Sequence, residues 1–111
     1  MSDTTYSDWT NYQTWCVAMW LGSDAGLYEE SRGLAGEARG EASEADAFAA
    51  GIWTREQSER FTLAEWLRTW VVENLAPDLG ASFPADLLTY ALCEVNWDEI
   101  AADILSETAT A

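Results

Sequence analysis

Asn11–Trp20 reads NYQTWCVAMW, the most densely apolar stretch of the chain and the seat of two of its seven Trp residues. Thr10 and Gln13 stand three apart, the spacing of a capping box, so a helix is expected to begin here. Tyr12, Trp15, Cys16, Met19 and Trp20 recur at helical spacing and make one broad apolar stripe. The segments downstream read as further helices that would pack on that stripe.

Outward from this stretch, residues 1–9 read as a polar arm, with Trp9 a possible tether. The first helix, about Asn11–Leu21, is expected to stop at Gly22. Ser23 or Asp24 would cap a second helix from Asp24 to about Ala38, carrying Leu27, Tyr28 and Leu34. Gly26, Gly33, Gly36 and Gly40 weaken it, each at about 1 kcal/mol relative to Ala. Residues 37–50 (EARGEASEADAFAA) are Ala- and Glu-rich and are compatible with helix. The sequence leaves open whether residues 24–50 form one helix or two. Gly51 closes this part, Ile52 and Trp53 read as buried, and Thr54 with Gln57 repeats the capping-box spacing.

Thr62–Leu75 is the strongest later helix. Thr62 and Glu65 have capping-box spacing, and Leu63, Trp66, Leu67, Trp70 and Val71 follow the i, i+3, i+4, i+7, i+8 template. Pro77 ends it. Ser82 precedes Pro84 at the next helix start, with Leu87, Leu88, Ala91, Leu92 and Val95 expected as its buried face. Asn96 caps the last helix, whose apolar face is Trp97, Ile100, Ala101, Ile104 and Leu105. The last residues, 106–111, are expected to fray. With two Pro, abundant Ala and no sustained alternation of polar and apolar residues, the expectation is a single all-α domain over residues 1–111, a compact bundle of four to six short helices. The expected core is Tyr12, Trp15, Met19, Trp66, Trp70, Leu88, Leu92, Trp97, Ile100 and Ile104.

Charge is the outstanding property. Twenty Asp and Glu face five basic residues, all Arg, for a net charge of -15; Lys and His are absent. Such a chain repels nucleic acid and anionic membrane surfaces and favours a basic partner, a cation atmosphere or high salt. A GC-rich genome would also deplete Lys. The N-terminal MSDTTYSDWT is acidic and polar, unlike a signal peptide, and no apolar run approaches the ~20 residues that span a bilayer. A cytoplasmic protein is expected, with Cys16 and Cys93 as two reduced, buried thiols.

Signals for catalysis are sparse. Without His there is no His-based triad and no His-ligated metal. The two Cys do not form a CxxC pair. GLAGEARG has glycines but neither a following Lys nor a preceding strand, so it is not a phosphate loop. Asp24-x-Gly26 and Asp98-Glu99 are not a calcium-binding loop. No enzyme, cofactor or metal site is therefore expected. Val95-Asn96-Trp97 makes a tight helix–turn–helix corner, but it carries Glu94, Asp98 and Glu99 where a DNA reader carries basic residues.

The acidic residues themselves are the candidate site. Glu30, Glu37, Glu41 and Glu44 fall near one side if residues 29–46 are helical, and Asp46, Glu56 and Glu59 would extend the patch. Side chains four apart on a helix are about 6 Å apart along the axis, comparable with phosphate spacing on a nucleic-acid strand. A solvated face is the ordinary reading of a charge run, but it does not require this much self-repulsion. Trp9 and Trp53, near element ends, are the candidate aromatic anchors.

Two stretches carry a resemblance. Asn11-Tyr12-x-Thr14-Trp15-x-Val17-Ala18-x-Trp20-Leu21, continued by Asp24-x-Gly26-Leu27-Tyr28, and Val95-Asn96-Trp97-x-Glu99-Ile100-Ala101 resemble the two ends of a family of small, largely uncharacterised proteins encoded by phages, plasmids and archaeal mobile elements. The resemblance covers about a quarter of the chain and implies no activity. Its residues read as core and caps, which makes the acidic middle the likelier seat of function. In composition alone the chain resembles acidic anti-CRISPR and anti-restriction inhibitors. That resemblance implies a non-enzymatic nucleic-acid mimic that blocks a basic groove of a nuclease or CRISPR effector complex. The alternative is a halophile's acidic scaffold or regulatory protein without mimicry, which would lose structure at low salt as unscreened carboxylates repel. A hydrolase built on paired carboxylates is a third reading.

Overall fold

The computed structural model describes residues 9–42, 50–76 and 79–108. It is an all-α bundle with five α-helices and no strand among these residues. They are α1 (Tyr12–Ser23), α2 (Ala25–Ala42), α3 (Arg55–Trp70), α4 (Phe83–Cys93) and α5 (Trp97–Thr108). The end of α3 widens into a π-helical turn, Val71–Leu75, where the Ala76 N–H donates to the Val71 carbonyl five residues back.

Short polar side chains set the helix starts. Asn11, in extended backbone, caps α1 by accepting from the Thr14 N–H at 2.9 Å. The expected Thr10/Gln13 box therefore gives way to the better-capping Asn one residue on. Gly22 does not stop α1. The helix continues through Ser23 to Asp24, whose N–H donates to the Trp20 carbonyl and whose carboxylate accepts from the Leu27 N–H at the start of α2. Thr54 and Gln57 make a complete capping box at α3. Because α3 starts there, Thr62 lies inside the helix and the Thr62/Glu65 cap does not form. Ser82 caps α4, with Pro84 in its first turn. Asn96 caps α5 through the Glu99 N–H at 3.1 Å. That last helix extends through Thr108, so residues 106–108 are ordered helix rather than frayed tail.

The core lies between α3 and α5, closed by α2 and the end of α1. Leu21, Ala35, Ala38, Leu63, Leu67, Val71, Val95, Trp97, Ile100, Ala101, Ile104 and Leu105 form one buried cluster. The whole expected face of α5 is buried. Trp66, Trp70 and Leu92 are half-buried against the cluster. Trp15, Met19 and Leu88 are half-buried.

Four expectations about burial are corrected: those for Tyr12, Ile52, Leu87 and the two cysteines. Tyr12 is 51% exposed and stacks on Trp15 with ring centroids 5.5 Å apart. Ile52 and Leu87 are 71% and 56% exposed. Cys93 is exposed and Cys16 half-buried, and both are free thiols. The first helix is thus not the hub: it buries only Thr14 and Leu21. Its aromatic residues cover the rim, because the small-residue stripe of α2 (Ser31, Ala35, Ala38, Ala42) brings α2 close to the centre instead.

Among the described residues the buried Ser31, Thr14 and Ser58 hydroxyls are paired, while Arg32 Nε is buried without a hydrogen-bond partner. The Ser58 hydroxyl donates to the Ala42 carbonyl at 2.7 Å, tying α3 to the end of α2. The Thr14 hydroxyl donates to Asn11 Oδ1 at 2.6 Å and accepts from the Asn96 N–H at 2.9 Å. Asn11 Nδ2 donates to the Glu94 carbonyl, and the Thr10 N–H to Glu99 Oε1. The NYxT and VNWxE stretches at opposite ends of the chain are therefore one polar joint. No described helix is long and apolar enough to cross a membrane.

Candidate functional site: the acidic side of the second helix

At about 100° per residue, Glu30, Glu37 and Glu41 fall within about 40° of one another around α2, well off its buried stripe. All three are exposed. Glu41 sits about 6 Å beyond Glu37 along the axis, and Glu37 about 10 Å beyond Glu30. Glu44 and Asp46 lie outside the described residues.

No arginine compensates this row. Arg32 and Arg39 leave the opposite side of α2 and reach α5: Arg32 pairs with Glu107 at 2.6 Å, and Arg39 donates to the Leu105 carbonyl at 2.9 Å. Arg60 pairs with Asp98 at 2.9 Å. Arg55 approaches Glu59 at 3.8 Å and Arg68 approaches Glu65 at 3.7 Å, both on α3. The five cations thus join α5 to the bundle or lace α3. Among the described residues, Glu30, Glu37 and Glu41 have no ion-pair partner.

The patch expected from sequence is divided. Glu56 and Glu59 line a cleft of about 250 Å³ with Arg39, Arg60, Ala102, Leu105 and Ser106. Arg39 is roughly half a turn around α2 from the row, so these two acids belong to the α5 side and to a mixed-charge setting. Helical spacing could group the glutamates of α2; it could not say on which side α3 would dock.

The aromatic anchors are also engaged internally. Trp9 packs half-buried against the core. Trp53 meets Phe61 edge-on, centroids 5.0 Å apart. Trp20 is 54% exposed and borders an apolar groove formed with Cys16, Val17, Leu27, Val71 and Leu75.

The perturbed titrations lie at the Arg32 clamp. The Arg32 hydrogen bond, then that of the Tyr28 hydroxyl, holds the Glu107 carboxyl below its ordinary range. The same bond to Glu107, with repulsion from its charge, raises Tyr28. Arg32 also lies over the Tyr28 ring, 4.1 Å from its centroid. This arrangement joins α2 to α5. Among the described residues no three Cys, Asp or Glu converge as a metal-holding group.

The sequence reading missed an exposed apolar stripe on α4: Phe83, Leu87 and Tyr90. These three stand at i, i+4 and i+7, a helical spacing visible in the sequence, but Leu87 also fits the spacing of the inward residues Leu88, Ala91 and Leu92. A second hollow of about 340 Å³ lies behind α4, lined by Arg68, Val72, Thr89, Leu92, Cys93 and Trp97.

A family of unknown function, DUF7249, has a model that matches residues 2–110, and the chain belongs to that family. No curated protein and no solved structure matches it.

Proposed function

We propose that this DUF7249 member is a non-enzymatic inhibitor of a host nucleic-acid-targeting defence complex, anti-CRISPR or anti-restriction in type, encoded on a mobile element and acting in the host cytoplasm. Its α2 row occupies a basic groove of a nuclease or effector where phosphates would otherwise lie. One observation carries this reading: all five arginines are engaged away from Glu30, Glu37 and Glu41, which leaves a spaced row of exposed carboxylates with no ion-pair partner among the described residues. A row of this kind on a chain of net charge -15 attracts a Lys- and Arg-lined channel over distance and repels nucleic acid itself.

The test is affinity capture from host lysate at low and moderate salt with the wild type and with E30K/E37K/E41K as baits, followed by a DNA- or RNA-binding assay on the captured complex. The expected result is a nuclease or effector that is held less tightly as salt rises. Its nucleic-acid binding falls when the wild type is added and recovers with the variant. Helicity by circular dichroism is unchanged in the variant, since the three positions are exposed. Equal inhibition by wild type and variant would refute the assignment to this row.

A further inference from the structure

Helix α4 differs from the other four in burying no residue completely. Its inward side, Ala85, Leu88 and Leu92, is half-buried over the π turn, and Leu88 and Leu92 line a hollow with Val72, Ala76 and Leu79. Its outward side carries Phe83 (75% exposed), Leu87 (56%) and Tyr90 (65%). At about 100° per residue these three lie within about 60° of one another, a single exposed apolar line.

Charge is scarce here. Asp86 is the one charged residue of α4, and at about 100° per residue it borders the line, about 40° from Tyr90. In a chain of net charge -15, this is a surface on which two copies would oppose one carboxylate each, Asp86, rather than a row of them.

We propose that α4 is a homodimer interface, with the α4 helices of two copies packed antiparallel across a two-fold axis at Leu87. Phe83 and Tyr90 lie about 6 Å and 4.5 Å either side of Leu87 along the helix, so each Phe83 meets the partner copy's Tyr90 position. Glu94 follows the stripe at the C-terminal end of α4. The antiparallel arrangement places its carboxylate off the N-terminus of the facing helix, where the dipole and free N–H groups favour an anion. A parallel arrangement would oppose the two Glu94 carboxylates.

The stripe supplies about 400 Å² per copy, taking about 200 Å² for a fully exposed aromatic side chain. Leu79 (39% exposed) precedes it at one end. With it the pair buries on the order of 900 Å², below the usual range of specific interfaces, which corresponds to a weak dimer.

The test is sedimentation velocity of the full chain over a concentration series, from about 50 mM to about 500 mM salt. Dimer is expected to grow with concentration and also with salt, because screening relieves the repulsion between two acidic copies. This trend is opposite to that expected for the α2 row on a basic partner, so the two readings fail separately. Leu87→Glu places a charge at the axis and weakens association by about a hundredfold or more. In a Cys16→Ser/Cys93→Ser background, Leu87→Cys forms a disulfide-linked dimer on mild oxidation. A chain that stays monomeric at every concentration and salt overturns the proposal. So does a dimer that survives Leu87→Glu. If Leu87→Glu fails to fold, failure of Leu87→Cys to cross-link overturns it instead.

Discussion

Replacing Gly33, Gly36 and Gly40 together by Ala is expected to stabilise the protein, although glycine is often retained in helices for close packing. All three lie inside α2 with no positive φ, and a Cβ built at each meets nothing within 4 Å. They therefore carry the backbone-entropy cost of glycine, and there is space at each for a methyl group. At about 0.5–1 kcal/mol per site, the triple change gives about 1.5–3 kcal/mol. For a domain of this size that raises Tm by about 6–12 °C. The assay is urea and thermal unfolding followed by circular dichroism at constant salt, with the single variants measured to check that the increments add. An unchanged or lowered midpoint would refute the reasoning and mean that α2 is not a continuous helix in solution or that its outer side is covered.

Leu67→Ala, at a fully buried site, is expected to lower stability by about 2–5 kcal/mol by transfer and cavity terms, read from the urea midpoint. Thr14→Val removes the acceptor of the Asn96 N–H and a partner of Asn11, at about 1–3 kcal/mol; no loss would mean that the joint between the chain ends is not formed. Glu107→Gln tests the clamp through pH. The folded carboxyl titrates below its unfolded value, so its contribution is present above the ordinary carboxylate range and is lost as pH falls through the folded value. Wild type is expected to exceed the variant by up to about 1 kcal/mol near neutrality, with the gap closing on acidification, since the carboxylate is part-exposed and screened. A gap independent of pH would refute the ionic origin of the clamp.

Local chemistry was legible in the sequence where one residue decides the outcome. Thr54, Ser82 and Asn96 cap helices as their spacing implied, and the α5 face is buried throughout, because its apolar residues repeat without competition. Legibility failed where two equivalent signals competed. Thr62 had the pattern of a cap but sits downstream of the stronger Thr54 box, and only one can start a continuous helix. The apolar richness of Asn11–Trp20 suggested a hub. Yet large aromatics are seldom covered completely, and the centre went to Leu, Ile and Ala with Trp97. Helix α4 is apolar on two sides, and periodicity cannot say which side faces inward.

The arginines connect the scaffold to the proposed site. A chain with only five cations could place them among its glutamates and blunt the field of every helix. Here Arg32, Arg39 and Arg60 all leave their own helices for α5, the element at the centre of the core. That use strengthens the bundle where burial amplifies an ion pair: Arg32 is 14% exposed, whereas Glu30, Glu37 and Glu41 are left in water. The consequence on α2 is a division of charge, with its two arginines turned toward α5 and a line of anions turned outward, while Arg55 and Arg68 stay exposed on α3. Acidity serving solubility alone requires no such division, since dispersed carboxylates beside surface arginines would do as well. A partner-facing row does require it, because each arginine placed beside the row would weaken the attraction that brings a basic groove to it.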